Sequence, residues 1–423
     1  VSGGLRVAYI MSRFPKITET FILYEILALE ARGVTVDVHP LLREREESVH
    51  PEAARLLQRI RFHSFLSFPI LAANAHYALR RPWSYFRALF EILSGTFGSL
   101  NFFAGAVGIF PKSVRFAYEM ERAGVQHVHA HFATHPTVAA LIIHRLTGIP
   151  FSFTVHGHDL HVEKRMLAEK VAAARFAVAI SDYNRDTMIE ECGEWAKAKI
   201  AVVHCGIDPS VFDATSRRTR GDGTLKVVCV GRFDEVKGHP VLVEACRKLA
   251  ERGVPFVCDL VGEGPRRPLV EEMIARAGLT GRVRTLGARP RLEVVRLLAE
   301  CDVFALPSVM AANGEREGIP VSLMEAMAMG IPVVSSRLSG IPELVESGVS
   351  GILADPGDAS ALADALEKLA REPELRAKLG EAGRMKVLRD FDLSRNVDRL
   401  AELLAGAHRE SRQHARATGR AAA

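Results

Sequence analysis

The run KVVCVGRFDEVKGHPVLVEACRKLA, residues 226–250, reads as strand, loop and helix in quick succession. Residues 226–230 form a short, nearly continuous apolar run, as a strand covered on both faces requires. The loop VGRFDEVKGH, 230–239, carries two cations, Arg232 and Lys237, and two glycines, Gly231 and Gly238, that allow tight backbone turns. An amphipathic, helix-length segment follows from Pro240. A guanidinium fork and a point charge just after a buried strand suit a diphosphate.

Outward from this unit, the same alternation covers nearly the whole chain. Strand candidates in the first half are 6–11, 34–40, 125–130, 151–155, 177–180 and 200–204. In the second half they are 226–230, 256–261, 283–286, 303–306, 332–335 and 351–353. Apolar strands separated by helices predict an α/β fold with parallel sheets covered on both faces. A length of 423 residues suits two such Rossmann-like domains. Ligands of open α/β sheets bind beyond the carboxyl ends of the strands, so two sheets facing a central cleft are expected. The first domain is expected over 1–207. The polar, basic stretch DPSVFDATSRRTRGDG opens a linker over 208–224, and the second domain spans 225–390. A C-terminal helix over 391–407 is expected to pack back on the first domain, and the Arg- and Ala-rich residues 408–423 are expected to be disordered.

Composition excludes several classes. The hydrophobic fraction of 48% and charged fraction of 25% are those of an ordinary globular enzyme, and a net charge of +5 does not argue for nucleic acid. No secretory signal and no run long enough for a spanning helix is read. The six cysteines, Cys192, Cys205, Cys229, Cys246, Cys258 and Cys301, lack CxxC spacing and mostly lie in apolar runs. Buried reduced thiols and a cytosolic setting are expected. One segment breaks the pattern. Residues 55–115 hold eight Arg or Lys against one acid, Glu91, with 12 of the chain's 29 aromatics. That composition fits a surface that lies against an anionic membrane or receives a lipid-linked ligand. It equally fits a helical insertion whose aromatics form a small core of their own.

The stretch EGIPVSLMEA, 317–326, carries two glutamates, Glu317 and Glu325, around a predicted helix start. Pro320 suits a first helical turn. Glu317 then lies on the entry loop and Glu325 inside the helix. Exposed amides at such a start bind anions, while carboxylates accept hydrogen bonds from sugar or ribose hydroxyls. The pair can therefore hold both ends of a sugar nucleotide.

With these two motifs quoted, residues 226–357 resemble the C-terminal domain of the family 4 glycosyltransferases, which have the GT-B architecture. The matching pieces are GRFDEVKG, VGEGPRR (261–267), TLGARPRLEVVRLLAECDVFALPS (285–308) and EGIPVSLMEAMAMGIPVVSS (317–336). SRFPKITETFILYEI (12–26) and HFATHPTVAALIIHRLTGIPFSFTVHGHDL (131–160) resemble the exopolysaccharide, colanic-acid-type branch. The resemblance implies a retaining glycosyltransferase, a hexosyltransferase type, acting from a nucleotide-diphosphate sugar with no metal or other cofactor. Arg232 and Lys237 would bind the diphosphate beside Gly231. Glu325 would hold the ribose, and Glu317 would contact the sugar near the reacting face. Gly318, Ile319, Pro320 and Val321 would bring the helix start to the donor, and Ala288–Arg289 would meet the base. His156, in FTVHGHD, would contact the transferred sugar. The implied acceptor is a glycan, lipid-linked or small molecule. The implied setting is cytoplasmic, peripheral on the inner face of the membrane.

Further residues stay open. Ser12, Arg13, Lys16 and Thr18 follow the first strand and are candidates for acceptor or diphosphate contact, against an ordinary surface loop. His158 and Asp159 either assist His156 or cap the helix after it. Alternation along a strand explains His127, His129 and His131 better than a metal site does. Cys205–Gly206 stands where family members often have asparagine before the glycine. An NAD-dependent enzyme is disfavoured, since SRFPKITET replaces the glycine fingerprint after the first strand. A GT-B-fold sugar-nucleotide epimerase and a non-catalytic sugar-nucleotide-binding subunit are the rival readings.

Overall fold

The computed structural model describes residues 4–15, 20–44, 52–60, 62–64, 67–217 and 223–417. Among them, twelve strands fall on the twelve apolar runs, six in each of two parallel sheets. The first sheet contains β1 (Arg6–Phe14), β2 (Thr35–Arg43), β3 (His127–His131), β4 (Phe151–Val155), β5 (Phe176–Ala179) and β6 (Ile200–Val202). Its order is β2-β1-β3-β4-β5-β6. The second contains β7 (Leu225–Val230), β8 (Phe256–Val261), β9 (Val283–Gly287), β10 (Val303–Leu306), β11 (Val333–Ser336) and β12 (Ile352–Ala354). Its order is β12-β11-β10-β7-β8-β9. Every residue of β3, β4 and β5 is buried, as in a sheet covered on both faces, even where β3 (HVHAH) and β4 (FSFTV) alternate polar and apolar side chains. Strand order reverses at β1/β3 in one sheet and β7/β10 in the other. Such reversals open the crevices where α/β proteins take ligands.

The chain divides into two compact units, Val1–Val203 with Leu393–Ala423, and His204–Asp392. The expected linker is therefore corrected over its described part. Ile207 and Phe212 are buried in the core of the second unit, and Arg217 donates to the carbonyls of Gly330 (2.5 Å) and Cys301 (3.3 Å). One phenylalanine anchors a stretch whose average composition is that of a loop. Residues 218–222 lie outside the described residues. The expected tail is corrected over 408–417, while residues 418–423 lie outside the described residues. The last helix runs over Leu393–Ala417 instead of ending near residue 407, because Ala and Arg are strong helix formers even where apolar anchors run out. Val397, Leu400, Leu404 and Ala407 bury against the first unit, whose helix Thr20–Ala31 contributes Ile22, Leu23 and Ile26. Arg32 fixes the pairing, with Asp398 Oδ1 at 2.5 Å and the Ser394 carbonyl at 2.8 Å.

The basic aromatic segment holds the helices Phe68–Arg80, Pro82–Thr96 and Leu100–Ala123. Its aromatics divide between two fates. Tyr77, Phe102 and Phe110 join the first unit's core, while Phe68, Trp83, Phe86, Phe90 and Phe97 are exposed. No helix of the described residues is long and apolar enough to cross a membrane. All six cysteines are free thiols, buried except for the half-buried Cys205.

Candidate active site

In the second unit, the loops after β7, β8, β9 and β10 leave one edge of one sheet. Glycine makes their close approach possible. Gly238 sits at φ 66°, and a Cβ there would fall 1.8 Å from the Pro307 carbonyl oxygen, so the β7 loop seats on the end of β10. A Cβ on Gly262, φ 146°, would fall 2.0 Å from the Gly231 oxygen, so the β7 and β8 loops meet backbone to backbone. The buried Phe233 laces them further. Its N–H donates to the Glu263 carbonyl at 3.0 Å, and its own carbonyl accepts from Arg266 N–H at 2.9 Å.

On this platform Lys237 Nζ lies 2.8 Å from Glu317 Oε1, with the two side chains only 18% and 16% exposed. The two motifs thus meet in space. Arg232 has another partner. Its Nε lies 2.9 Å from Asp234 Oδ2 and the side chain is 47% exposed. Gly318, Ile319 and Pro320 lead into the helix Val321–Ala328, whose first turn has no side-chain cap. Leu323 N–H donates to the Pro320 carbonyl at 3.1 Å, and a helix start of this kind suits an anion. Glu325 lies within that helix. Burial pushes its carboxyl up to about 7, with Arg291 pulling the other way. Ala288 and Arg289 are exposed beyond β9, and Arg289 reaches Glu293 at 3.5 Å. Asp234 and Glu235 escaped the sequence reading. Glu235 accepts from Arg266 Nη2 at 2.6 Å and from Ala312 N–H at 3.2 Å, bracing three loops. An acid within a cation-bearing loop was the signal available.

In the first unit, Ser12 and Arg13 are near the end of β1, and Arg13 Nη1 donates to the Arg43 carbonyl at 3.0 Å. Lys16 and Thr18 lie outside the described residues. Ser12 also lines a cavity of about 290 Å³ with Leu41, Leu42, Gly105, Ile109 and His135. His156 follows β4 and is buried at 9% exposure. Asp159 accepts backbone N–H groups from His156 (3.0 Å), Gly157 (2.8 Å) and Ala133 (2.7 Å), tying the β3 and β4 loops together. His158 opens the short helix His158–His161. His127, His129 and His131 share one face of β3. His127 Nε2 and His129 Nδ1 each lie 2.7 Å from Ser152 Oγ, and His129 Nε2 lies 2.9 Å from Thr154 Oγ1. Glu25, His129 and His131 could face one cation, yet both ring nitrogens of His129 are already hydrogen-bonded.

Residues 214–386 match the family described as "Glycosyl transferases group 1", and residues 18–211 match "Glycosyltransferase Family 4". The chain is 43% identical over 206 residues to the amylovoran biosynthesis glycosyltransferase AmsK of Erwinia amylovora, covering 49% of this chain and 50% of that one. It thus spans about half the length of the curated relatives it matches in that group. It is 32% identical over 274 residues to the GDP-mannose-dependent alpha-(1-6)-phosphatidylinositol monomannoside mannosyltransferase of Mycolicibacterium smegmatis, covering 62% of this chain and 71% of that one. Among solved structures, Anabaena Alr3699/HepE in complex with UDP-glucose has a TM-score of 0.68 at 18% identity, over 95% of this chain and 100% of that one. A glycosyltransferase from Rickettsia africae has a TM-score of 0.71 at 18% identity, over 96% and 99%. These two share its fold, GT-B, and the sequence relatives decide the lineage: the chain belongs to the family 4 glycosyltransferases.

Proposed function

We propose that the chain is a retaining glycosyltransferase that moves a sugar from a nucleotide-diphosphate donor to a glycan or lipid-linked acceptor in exopolysaccharide or glycolipid synthesis. The observation that carries this reading is the 2.8 Å pairing of Lys237 with Glu317 beside the uncapped start of the helix Val321–Ala328. A cation beside a helix start suits a diphosphate, and a carboxylate next to them suits hydroxyls. Lys237 is already desolvated and held in place, so little reorganisation accompanies leaving-group charge. Arg232 supplies a second, more exposed cation. A nucleotide-sugar donor is supported by a GDP-mannose-dependent relative and by a structural neighbour in complex with UDP-glucose.

In this mechanism the bond from the anomeric carbon to the diphosphate breaks while the acceptor oxygen bonds to the same face. The departing diphosphate oxygen takes the acceptor's proton. Retention then needs no carboxylate on the opposite face. We place the reaction in the cytoplasm, at the inner face of the membrane, with the exposed aromatics of residues 68–100 against anionic lipid. Trp83 at 81% and Phe90 at 74% exposure, flanked by Arg80 and Arg87, support that placement.

The test is nucleotide release from a panel of nucleotide-diphosphate sugars, preselected by thermal shift. Lys237→Ala and Glu317→Ala should each lower turnover at least about 100-fold, as loss of a preorganised charge does, with unchanged circular dichroism. Near-normal turnover in both variants would remove the assignment.

A further inference from the structure

The helix Leu100–Ala123 carries two glycines near its start, Gly105 and Gly108, neither at a positive φ. Glycine inside a helix weakens it relative to alanine, so each asks for a cause. Gly105 has one in packing, since a Cβ there would fall 2.2 Å from His135 Nε2. At Gly108 a Cβ would meet no atom of the described residues within 4 Å. What lies beside Gly108 is the cavity of about 290 Å³ that Ser12 also lines, with Leu41, Leu42, Ile109 and His135 among its other walls. These walls carry no charge. His135 Nε2 lies 3.1 Å from the Phe102 carbonyl, and burial holds the ring below the usual imidazole range. The volume stands at the small end of ligand pockets, roughly 300–1,000 Å³. A narrow, mostly apolar site suits a hydrocarbon chain and would leave the hydroxyls of a sugar unpaired.

The cavity has an apolar approach and a cationic end. Leu100, Ala104, Val107 and Gly108 stand at i, i+4, i+7 and i+8, which makes one stripe of the helix, and all four are exposed. Phe97, 75% exposed, stands just before the stripe. Ser12 and Leu42 belong to β1 and β2, and the next residue along each strand is an arginine, Arg13 and Arg43. Arg13 is paired with Leu42 in the sheet, and its Nη1 donates to the Arg43 carbonyl at 3.0 Å. These two cations, against one acid, Glu44, stand at the carboxyl ends of the strands, the side on which open α/β sheets take ligands.

We propose that the groove beside Gly108 receives the hydrocarbon chain of a lipid-linked acceptor whose phosphate lies toward Arg13 and Arg43, so that the acceptor is an amphiphile and not a free glycan. The inference rests on the transferase reading given under Proposed function. Glycine at 108 keeps the groove open at a cost to the helix, and a larger residue closes it. The stripe from Leu100 to Gly108 leads the chain from the exposed rings to the ends of β1 and β2. Guanidinium groups match the phosphate that joins a sugar to its lipid. Each methylene withdrawn from water strengthens binding about fourfold, so chain length is the variable the groove reads.

The test is calorimetric titration of the full chain with decyl phosphate, butyl phosphate and decanol, each below its aggregation limit. Decyl phosphate should bind at least about tenfold more tightly than butyl phosphate. Gly108→Phe should weaken decyl phosphate at least tenfold, and Gly108→Leu should act in the same direction. Gly108→Ala should raise the melting temperature by about 1–4 °C, as relief of an unforced helical glycine does. Arg13→Gln should weaken decyl phosphate at least threefold and leave decanol unchanged. Equal affinities for decyl and butyl phosphate, or wild-type affinity in a folded Gly108→Phe, would overturn the proposal. Sedimentation with phosphatidylglycerol vesicles should be the same in Gly108→Phe as in the wild type, and a parallel loss there would give the groove to bulk membrane lipid instead. Should the wild type turn over no sugar nucleotide at all, the transferase reading fails, and the titrations still decide whether the groove takes a lipid chain.

Discussion

Glu325 carries a carboxyl that titrates at about 7 because it is desolvated inside the helix Val321–Ala328, with Arg291 only partly compensating. If hydroxyls must donate to it, the ionised form is the one that binds. Donor affinity in the unliganded protein should then fall as pH drops below 7, approaching a tenfold loss per unit, while Glu325→Gln should flatten the profile. Calorimetric titration of a tight-binding nucleotide sugar between pH 6 and 8.5 checks this, and a flat wild-type profile would contradict it. Lys237 and Glu317 were legible in the sequence because the loop and helix-start motifs advertise them. The contacts of Glu25, which accepts from Tyr9 OH at 2.7 Å and lies 3.2 Å from His131 Nε2, were not. Glu25 sits in TFILYEILALEA, where an acid on an otherwise apolar helix reads as a solvent-facing position, and only the sheet brings it to His131. His158 and Asp159 read as either assisting His156 or capping the next helix, and the reach of Asp159 back to Ala133 was not legible.

At the scale of elements, strands were the most readable part, since parallel strands buried on both faces are mostly apolar, with the histidine-bearing β3 the exception. The least readable were segments judged by average composition, where single anchors decide the outcome. Phe212 makes part of the second core from a polar stretch. The basic aromatic segment likewise conceals two populations of rings. Its exposed population gives the helices Phe68–Arg80 and Pro82–Thr96 an apolar outer surface. Arg81 is unavailable to lipid in the same degree, because it donates to the Leu146 carbonyl at 2.7 Å and to Glu121 at 2.8 Å. Arg80 and Arg87 are the better probes. Each inserted aromatic contributes roughly 1.5–3 kcal/mol. Trp83→Ser with Phe90→Ser should weaken sedimentation with vesicles containing phosphatidylglycerol at least tenfold. Arg80→Gln with Arg87→Gln should lessen its salt dependence, and unaltered partitioning in both would remove the membrane reading.

Across the whole molecule, buried histidines set the response to acid. Burial lowers His127 to about 3 and His239 to about 4, and lowers His129 and His156 well below the usual range. The folded chain keeps them neutral, whereas the unfolded chain protonates them below roughly pH 6.5. Each then removes about 1.4 kcal/mol of stability per pH unit below that point. Glu325, with its raised value, acts in the opposite sense between 7 and its unfolded value, and one group does not offset four. Melting temperature should therefore drop steadily from pH 7 to 5, and a flat trace would contradict the burial of these rings. A different consequence follows from the last helix, Leu393–Ala417, which completes the first unit after the second has been laid down in the chain. On the ribosome, the strands of the earlier half emerge long before the segment that covers Leu23 and Ile26. During synthesis this oily flank stays uncovered until residues 393–407 emerge, so the first unit closes only after the whole of the second has left the ribosome.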